Sequence, residues 1–264
     1  MGQGKALLSS IQPLLYKQTS QPQVSSMTFQ QTPFSNQRDV ATEFDQWAQA
    51  GRGDKMAAGH RYATEQLITD LAIPSNAVVL DAGCGIGWVL NDLLGRRIAR
   101  GVGIDLSEEM IAIAASRRTL PHITFQTADS AHTPFEQGEF SHIISIESIY
   151  YTPQPLETLS EWLRVCRPGG CLGIVIDLYR DNPAAAYWVE ALALTVHNLS
   201  AAEWQDLLLT AGWSGVASRC VALPAQTAAS DFAPSPYFPD YETYQAYCQA
   251  GSLLLTAQRP PEPA

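Results

Sequence analysis

Three aspartates close three short apolar runs: Asp81 ends AVVLD, Asp105 ends GVGID and Asp129 ends TFQTAD. After the first comes a glycine loop, with Gly83, Gly85 and Gly87 alternating with Cys84 and Ile86. Glycines between a strand and a helix let the backbone approach a ligand and aim helix N-terminal amides at it. Two ligands suit such a loop. A dinucleotide would place its pyrophosphate there; a nucleoside with an amino-acid tail would place its ribose and tail there. An acid beside the loop, Asp81, suits a cationic amino group rather than a polyanion. Asp105 can accept hydrogen bonds from two ribose hydroxyls, and Asp129 is placed to receive an adenine amine. The dinucleotide pattern G-x-G-x-x-G wants its third glycine where Trp88 stands, and an indole there hinders close helix–strand packing. This counts against an NAD-dependent oxidoreductase, which stays as one alternative because G-x-G alone is a short signal; a protein that binds its cofactor without catalysis is the other.

A second group could face such a ligand. SIESIYY carries Glu147, Tyr150 and Tyr151. Either tyrosine offers a π-face to a cation or simply packs at the start of a helix. GDKMAAGHRY places Met56 and His60 on one helix face, four residues apart. An imidazole titrating near ~6.5 suits a general base, although a lone histidine is more often structural. Trp47 is a candidate lid residue, and Asp177 and Tyr179 complete the rim. Asp177 and Asn182 are too loosely placed to form a metal site, and no metal is expected. The five cysteines form no C-x-x-C pair; Cys84 and Cys171 read as small buried fillers.

These side chains need a frame. Residues 1–37, rich in Gln, Ser and Thr, read as a poorly ordered leader in which Met27 is a possible natural start. Residues 38–72 read as helical, with a helix near Phe44–Ala48, a break at Gly51 and Gly53, and a longer helix to Leu71 stopped by Pro74. Strands Ala77–Asp81, Gly101–Asp105, His122–Ala128, Ser141–Ile146 and Cys171–Asp177 then alternate with helices at Trp88–Arg97, Ser107–Arg118 and Pro155–Arg167. Ser107 reads as an N-cap, and RPGG supplies a left-handed helix cap at Gly169 or Gly170. Helices follow at Pro183–His197 and Ala201–Ala211, the second opened by the capping box SAAE. Trp213–Val221 and Ser252–Gln258 are the last strands. Between them, residues 222–251 carry Phe232, Tyr237, Phe238, Tyr241, Tyr244 and Tyr247, as an aromatic lid or a packed excursion. Alternating strands and helices mean an α/β, doubly wound, mostly parallel sheet, which binds ligands at the carboxyl ends of its strands.

The 264 residues are enough for one such domain, and the formal net charge of -10 disfavours a nucleic-acid partner. No apolar run reaches the ~18 residues a membrane span needs. Without a signal-peptide core near the start, a cytoplasmic location is the expectation.

VLDAGCGIG, GVGIDLSEEMI, TADSAHTPFEQGEFSHIISIES and LRVCRPGGCLGI, in this order, resemble the motifs of the class I S-adenosylmethionine-dependent methyltransferases, over about Leu67 to Val221. The resemblance implies a Rossmann-like seven-stranded sheet whose last strand is antiparallel. It implies S-adenosyl-L-methionine as cofactor and S-adenosyl-L-homocysteine as product. Asp81, Gly83 and Gly85 would line the methionine end, Asp105 and Leu106 the ribose and adenine, and Asp129 and Ser130 the adenine edge. Ala82, Cys84, Met110 and Ser145 would complete that shell. Glu147 would contact the methionine end or the substrate, and His60, Tyr150 and Tyr151 would attend the reaction. The [DN]PP[YF] motif of amide and adenine methylation is missing, ESIY standing in its place. A small-molecule acceptor, an amine or a quinone-like or phenolic ring, is therefore expected.

Overall fold

The apolar runs that end in the three aspartates become neighbouring strands. In the computed structural model, which describes residues 37–192 and 194–262, β1 (Val78–Ala82), β2 (Arg100–Asp105), β3 (Ile123–Thr127), β4 (Phe140–Ile146), β5 (Cys166–Ile176), β6 (Ser214–Val221) and β7 (Ser252–Gln258) form one sheet of order β3-β2-β1-β4-β5-β7-β6. β7 runs antiparallel to both β5 and β6; the other pairings are parallel. The expected leader lies outside the described residues, apart from Gln37, which opens the first helix.

Every residue of β4 is buried, Ser141, His142 and Ser145 included, as befits a central strand of a sheet covered on both faces. One layer holds Leu80, Ile104, Phe140, Trp162 and Trp204; the other holds Leu67, Val79, Leu90, Ile123 and Val175. The strand order reverses between β1 and β4, which opens a crevice at their carboxyl ends.

The N-terminal helices cover that crevice. α1 (Gln37–Gln49) is longer than the expected turn around Phe44. Gly51 breaks the chain in the left-handed conformation, as expected, but Gly53 lies inside α2 (Arg52–Leu71). A Cβ on Gly53 would stand 2.6 Å from Ile86 Cγ2, so this glycine serves a close approach to the loop rather than a break. α1 is pinned to α3 (Glu108–Ser116), whose N-cap Ser107 receives the Met110 N–H. The Ser107 hydroxyl in turn donates to Asp45 of α1 (2.5 Å).

Four further expectations are corrected. The helix expected at Trp88–Arg97 is a π-helical turn, Val89–Leu94, closed by the Gly95 N–H on Leu90 O five residues back. α4 (Pro155–Val165) ends before RPGG, because Pro168 disfavours helix at Arg167. Gly169 is left-handed, but within the first turn of β5 and not as a helix cap. α5 (Ala185–Ala191) stops short of His197, whose N–H reaches Tyr150 O (2.9 Å) from extended chain. α6 (Ala201–Thr210) opens with the expected capping box. The stretch before β7 contains α7 (Tyr241–Ala250), capped by Asp240. No helix among the described residues is long and apolar enough to cross a membrane.

Candidate active site

The glycine loop is held by the ends of its neighbours. Gly83 N–H (2.8 Å) and Cys84 N–H (2.9 Å) both donate to Ile104 O, and Gly85 N–H donates to Asp105 Oδ2 (2.9 Å). Gly83 has φ 79°, and a Cβ there would stand 2.3 Å from the Ser148 side chain, so the loop passes β4 only as glycine. Asp105 Oδ1 also receives the Ser107 N–H (3.0 Å). One carboxylate thus ties the loop to the start of α3.

Asp81 is different. It is 1% exposed, and its Oδ2 has no hydrogen-bond partner among the described residues. Burial, reinforced by the charge of Asp105, pushes its carboxyl up to about 8. A buried carboxylate oxygen without a donor is costly, and a bound ammonium group would relieve it. This is the requirement that an amino-acid tail on a nucleoside meets.

Asp105, Gly83, Cys84, Gly85, Leu106, Met110, Asp129 and Ser130 line one cavity together with Asp81. It encloses about 1060 Å³, counting its open mouth. Ala82 and Ser145 stand behind its wall: Ala82 O accepts from Ser148 Oγ, which pairs with Ser145 Oγ at 2.7 Å. Asp129 carries more bonds than expected. Its Oδ1 caps the Ala131 N–H, and its Oδ2 receives Gln37 Nε2 (2.6 Å) and lies 2.8 Å from His132 Nδ1. An amide N–H of Gln37 thus meets the acid assigned to an adenine amine, and it brings the start of α1 into the cavity wall. Cys84 is buried with its thiol pushed well up, as a filler should be.

The other end of the same cavity is lined by Met56, His60, Glu147 and Tyr151. His60 Nδ1 lies 3.2 Å from Asp177 Oδ2, on the first residue after β5. Burial works against the charged imidazole, but the hydrogen bond and charge of Asp177, helped by Glu147, outweigh it and raise His60 to about 9. Asp177 stays ionised: burial opposes its charge, and His60 more than compensates. Glu147, the first residue after β4, holds φ 55°, a left-handed conformation rare outside glycine and a mark of functional sites. Burial, then the Asp177 charge, lifts its carboxyl well above the usual range. Its oxygens receive the Asp177 N–H (2.5 Å) and the Tyr150 hydroxyl (2.8 Å). Tyr150 therefore braces Glu147 from behind, while Tyr151 faces the cavity and meets Phe44 edge-on (5.1 Å).

His60, Glu147 and Asp177 bring one ligand atom each within 4.8 Å of one another. Tyr150 and the Asp177 N–H donate to the two Glu147 oxygens and Tyr247 donates to Asp177 Oδ2, while Asp177 Oδ1 has no partner among the described residues and His60 Nδ1 stands 3.2 Å from Oδ2 as an ion pair without hydrogen-bond geometry. The cluster reads as a proton-holding network. Asn182 serves the backbone and no metal: its Oδ1 caps the Ala184 N–H (3.1 Å) and its Nδ2 donates to Asp177 O (3.5 Å). Trp47 is buried against Ala57, Ile86 and Met110, which makes it an anchor of α1 rather than part of the wall. Sequence reasoning missed Gln37, Phe44 and Ser148 in the wall, and Tyr247 behind it. Only the last had a signal, its place in the aromatic stretch.

A family model described as a methyltransferase domain matches residues 79–170, from β1 to the turn that opens β5. Residues 79–170 thus carry a methyltransferase domain, within a sheet of the Rossmann-like methyltransferase order. The chain is 30% identical over 140 residues to methyltransferase GfsG of Streptomyces halstedii, covering 52% of this chain and 50% of that protein. It is 36% identical over 110 residues to the chloroplastic tocopherol O-methyltransferase of Arabidopsis thaliana, covering 40% and 32%. The match thus spans about half the length of the first curated relative. A chain of the complex between the Haloferax volcanii Trm112 methyltransferase activator and a methyltransferase superposes with a TM-score of 0.76 at 29% identity, covering 83% of this chain and 98% of that one.

Proposed function

We propose that the protein methylates a small molecule at a ring hydroxyl, phenolic or quinol in type, with S-adenosylmethionine as methyl donor. The observation that carries this reading is a single cavity with two chemically distinct ends. Asp81 offers an unpartnered buried oxygen to an ammonium group at one end, and His60 offers a carboxylate-backed imidazole at the other.

When bound, the cofactor supplies an electrophilic methyl on a sulfonium, which needs no metal. The chain's part is to bind, to orient and to hold a proton. Asp81 and the Gly83–Gly85 loop would hold the amino-acid tail, Asp105 the ribose and Ser130 the adenine edge, with Asp129 shared with Gln37. Phe44 and Tyr151 give the acceptor end an aromatic wall, to which α1 and α2 also contribute Val40, Met56 and Ala57. With His60 titrating near 9 it is mostly protonated at pH 7, so its use as a base toward a phenol, which ionises near ~10, calls for turnover that rises as the pH approaches 9. An amine needs no base to attack, so the His60–Asp177 pair favours a hydroxyl. The tocopherol O-methyltransferase among the relatives supports this choice of acceptor.

The test is transfer of labelled methyl from S-adenosylmethionine to a panel of simple phenols, hydroquinones and primary amines. Turnover should appear on the hydroxyl compounds and fall about 100-fold or more in His60→Gln, while S-adenosylhomocysteine still binds. Turnover confined to the amines, or unchanged in His60→Gln, would contradict the reading.

A further inference from the structure

Tyr247 lies on α7, between the last two strands and outside the wall of the cavity. Its ring is 9% exposed and packs on Trp188 (5.3 Å between centroids) and Phe238 (5.1 Å). Its hydroxyl donates to Asp177 Oδ2 at 2.5 Å, the oxygen that His60 Nδ1 approaches. Three elements, α2, the end of β5 and α7, therefore converge on one oxygen atom. The surrounding stretch is tied to the same helix. Tyr237, which meets Trp188 edge-on, receives Arg52 Nη2 (3.4 Å), and Gln226 Nε2 reaches Ala58 O (3.5 Å).

We infer that Tyr247 is a positioning residue: its hydroxyl fixes the rotation of the Asp177 carboxylate and so aims His60 into the cavity. The inference rests on the reading of His60 as the base. A carboxylate free to rotate presents either oxygen to His60. One held by a buried phenol presents a single oxygen in a single direction. The ring cluster of Trp188, Phe238 and Tyr247 would be redundant for cavity closure, since none of the three lines the wall. It has a task if it holds a hydroxyl in place. The groups facing Asp177 are His60 from α2, Tyr247 from α7, the Ser252 hydroxyl from the start of β7, and Glu147 through the Asp177 N–H. Removing the phenol leaves the oxygen that stands 3.2 Å from His60 Nδ1 with its charge less shared.

The experiment follows the ring resonances of histidine in the labelled full-length chain as a function of pH, with His60 assigned through His60→Gln. S-adenosylhomocysteine is titrated in parallel. In Tyr247→Phe the His60 midpoint should rise by about half a pH unit or more, from losing one charged hydrogen bond at the shared oxygen. S-adenosylhomocysteine affinity should stay within about twofold. Trp188→Phe, which perturbs the packing and keeps the hydroxyl, should leave the midpoint in place. An unmoved or lowered midpoint in Tyr247→Phe would overturn the inference and reduce Tyr247 to packing. If that variant does not fold, the unaltered chain decides. A slowly exchanging Tyr247 hydroxyl proton that disappears in Asp177→Asn supports the contact, and its absence refutes it. Failure of the unaltered protein to bind S-adenosylhomocysteine would instead overturn the methyl-transfer reading, and the inference with it.

Discussion

In the proposed reading, Asp81 would couple ligand binding to protons. Without ligand its carboxyl titrates near 8, so at pH 7 it is mostly protonated; an ammonium partner requires it ionised. Calorimetry of S-adenosylhomocysteine at pH 7 in buffers of different ionisation enthalpy should therefore show release of close to one proton, and affinity should rise between pH 6 and 8. Uptake of a proton would contradict the assignment. The same residue carries a stability cost. A carboxyl whose folded value lies above its unfolded value loses stability as pH rises from about 4 towards 8, because the unfolded chain ionises first. Asp81→Asn should therefore melt higher than the unaltered protein at pH 8.5 while binding the ligand poorly. His60 titrates in the same direction for the opposite reason. Its folded value, about 9, lies above the unfolded ~6.5, so its contribution is complete below pH 6 and fades as pH rises through 9. Chemical denaturation should show the stability gap between the unaltered chain and His60→Gln narrowing by about 2–3 kcal/mol between pH 6 and 10. A gap independent of pH would mean that the His60–Asp177 pair is not ionic.

At the level of elements, the loop after β1 is the narrowest tolerance in the molecule. Gly83 combines φ 79° with a Cβ position 2.3 Å from Ser148, so Gly83→Ala must shift the loop or β4. A loss of about 2–4 kcal/mol of stability is expected in urea unfolding, with S-adenosylhomocysteine binding weakened as well; a neutral result would show that the loop is not braced this way. Much of this frame was legible in the sequence. Apolar runs ending in Asp81, Asp105 and Asp129 gave the strands and their ligand-facing ends, and Ser107 and SAAE gave two helix starts by their own hydrogen bonds. What was not legible depends on partners distant in sequence. Gly53 resembles a break until Ile86 is seen beside it, and RPGG resembles a helix cap until β5 claims its residues. The π-helical turn after Trp88 carries no periodic signature of its own.

For the whole molecule, the sheet places the acids of β1 and β2 on one side of the strand-order reversal and Glu147 and Asp177 on the other. The sequence named His60, Glu147 and Asp177 separately, on the basis of residue type and place. Their meeting behind one cavity wall follows from packing α2 across the ends of β4 and β5, which no local pattern encodes. The proposed cofactor end was legible because its acids follow consecutive strands; the proposed acceptor end was less so, because α1 and α2 bring distant stretches onto the ends of β4 and β5.

The most direct measurement is calorimetric titration of S-adenosylhomocysteine into the unaltered protein and Asp81→Asn, with NAD as control. The account predicts micromolar binding, weakened by about 2 kcal/mol or more in Asp81→Asn, the scale of a lost charged hydrogen bond, and no heat from NAD. Binding of NAD in its place, or equal binding by both proteins, would contradict the assignment of this cavity.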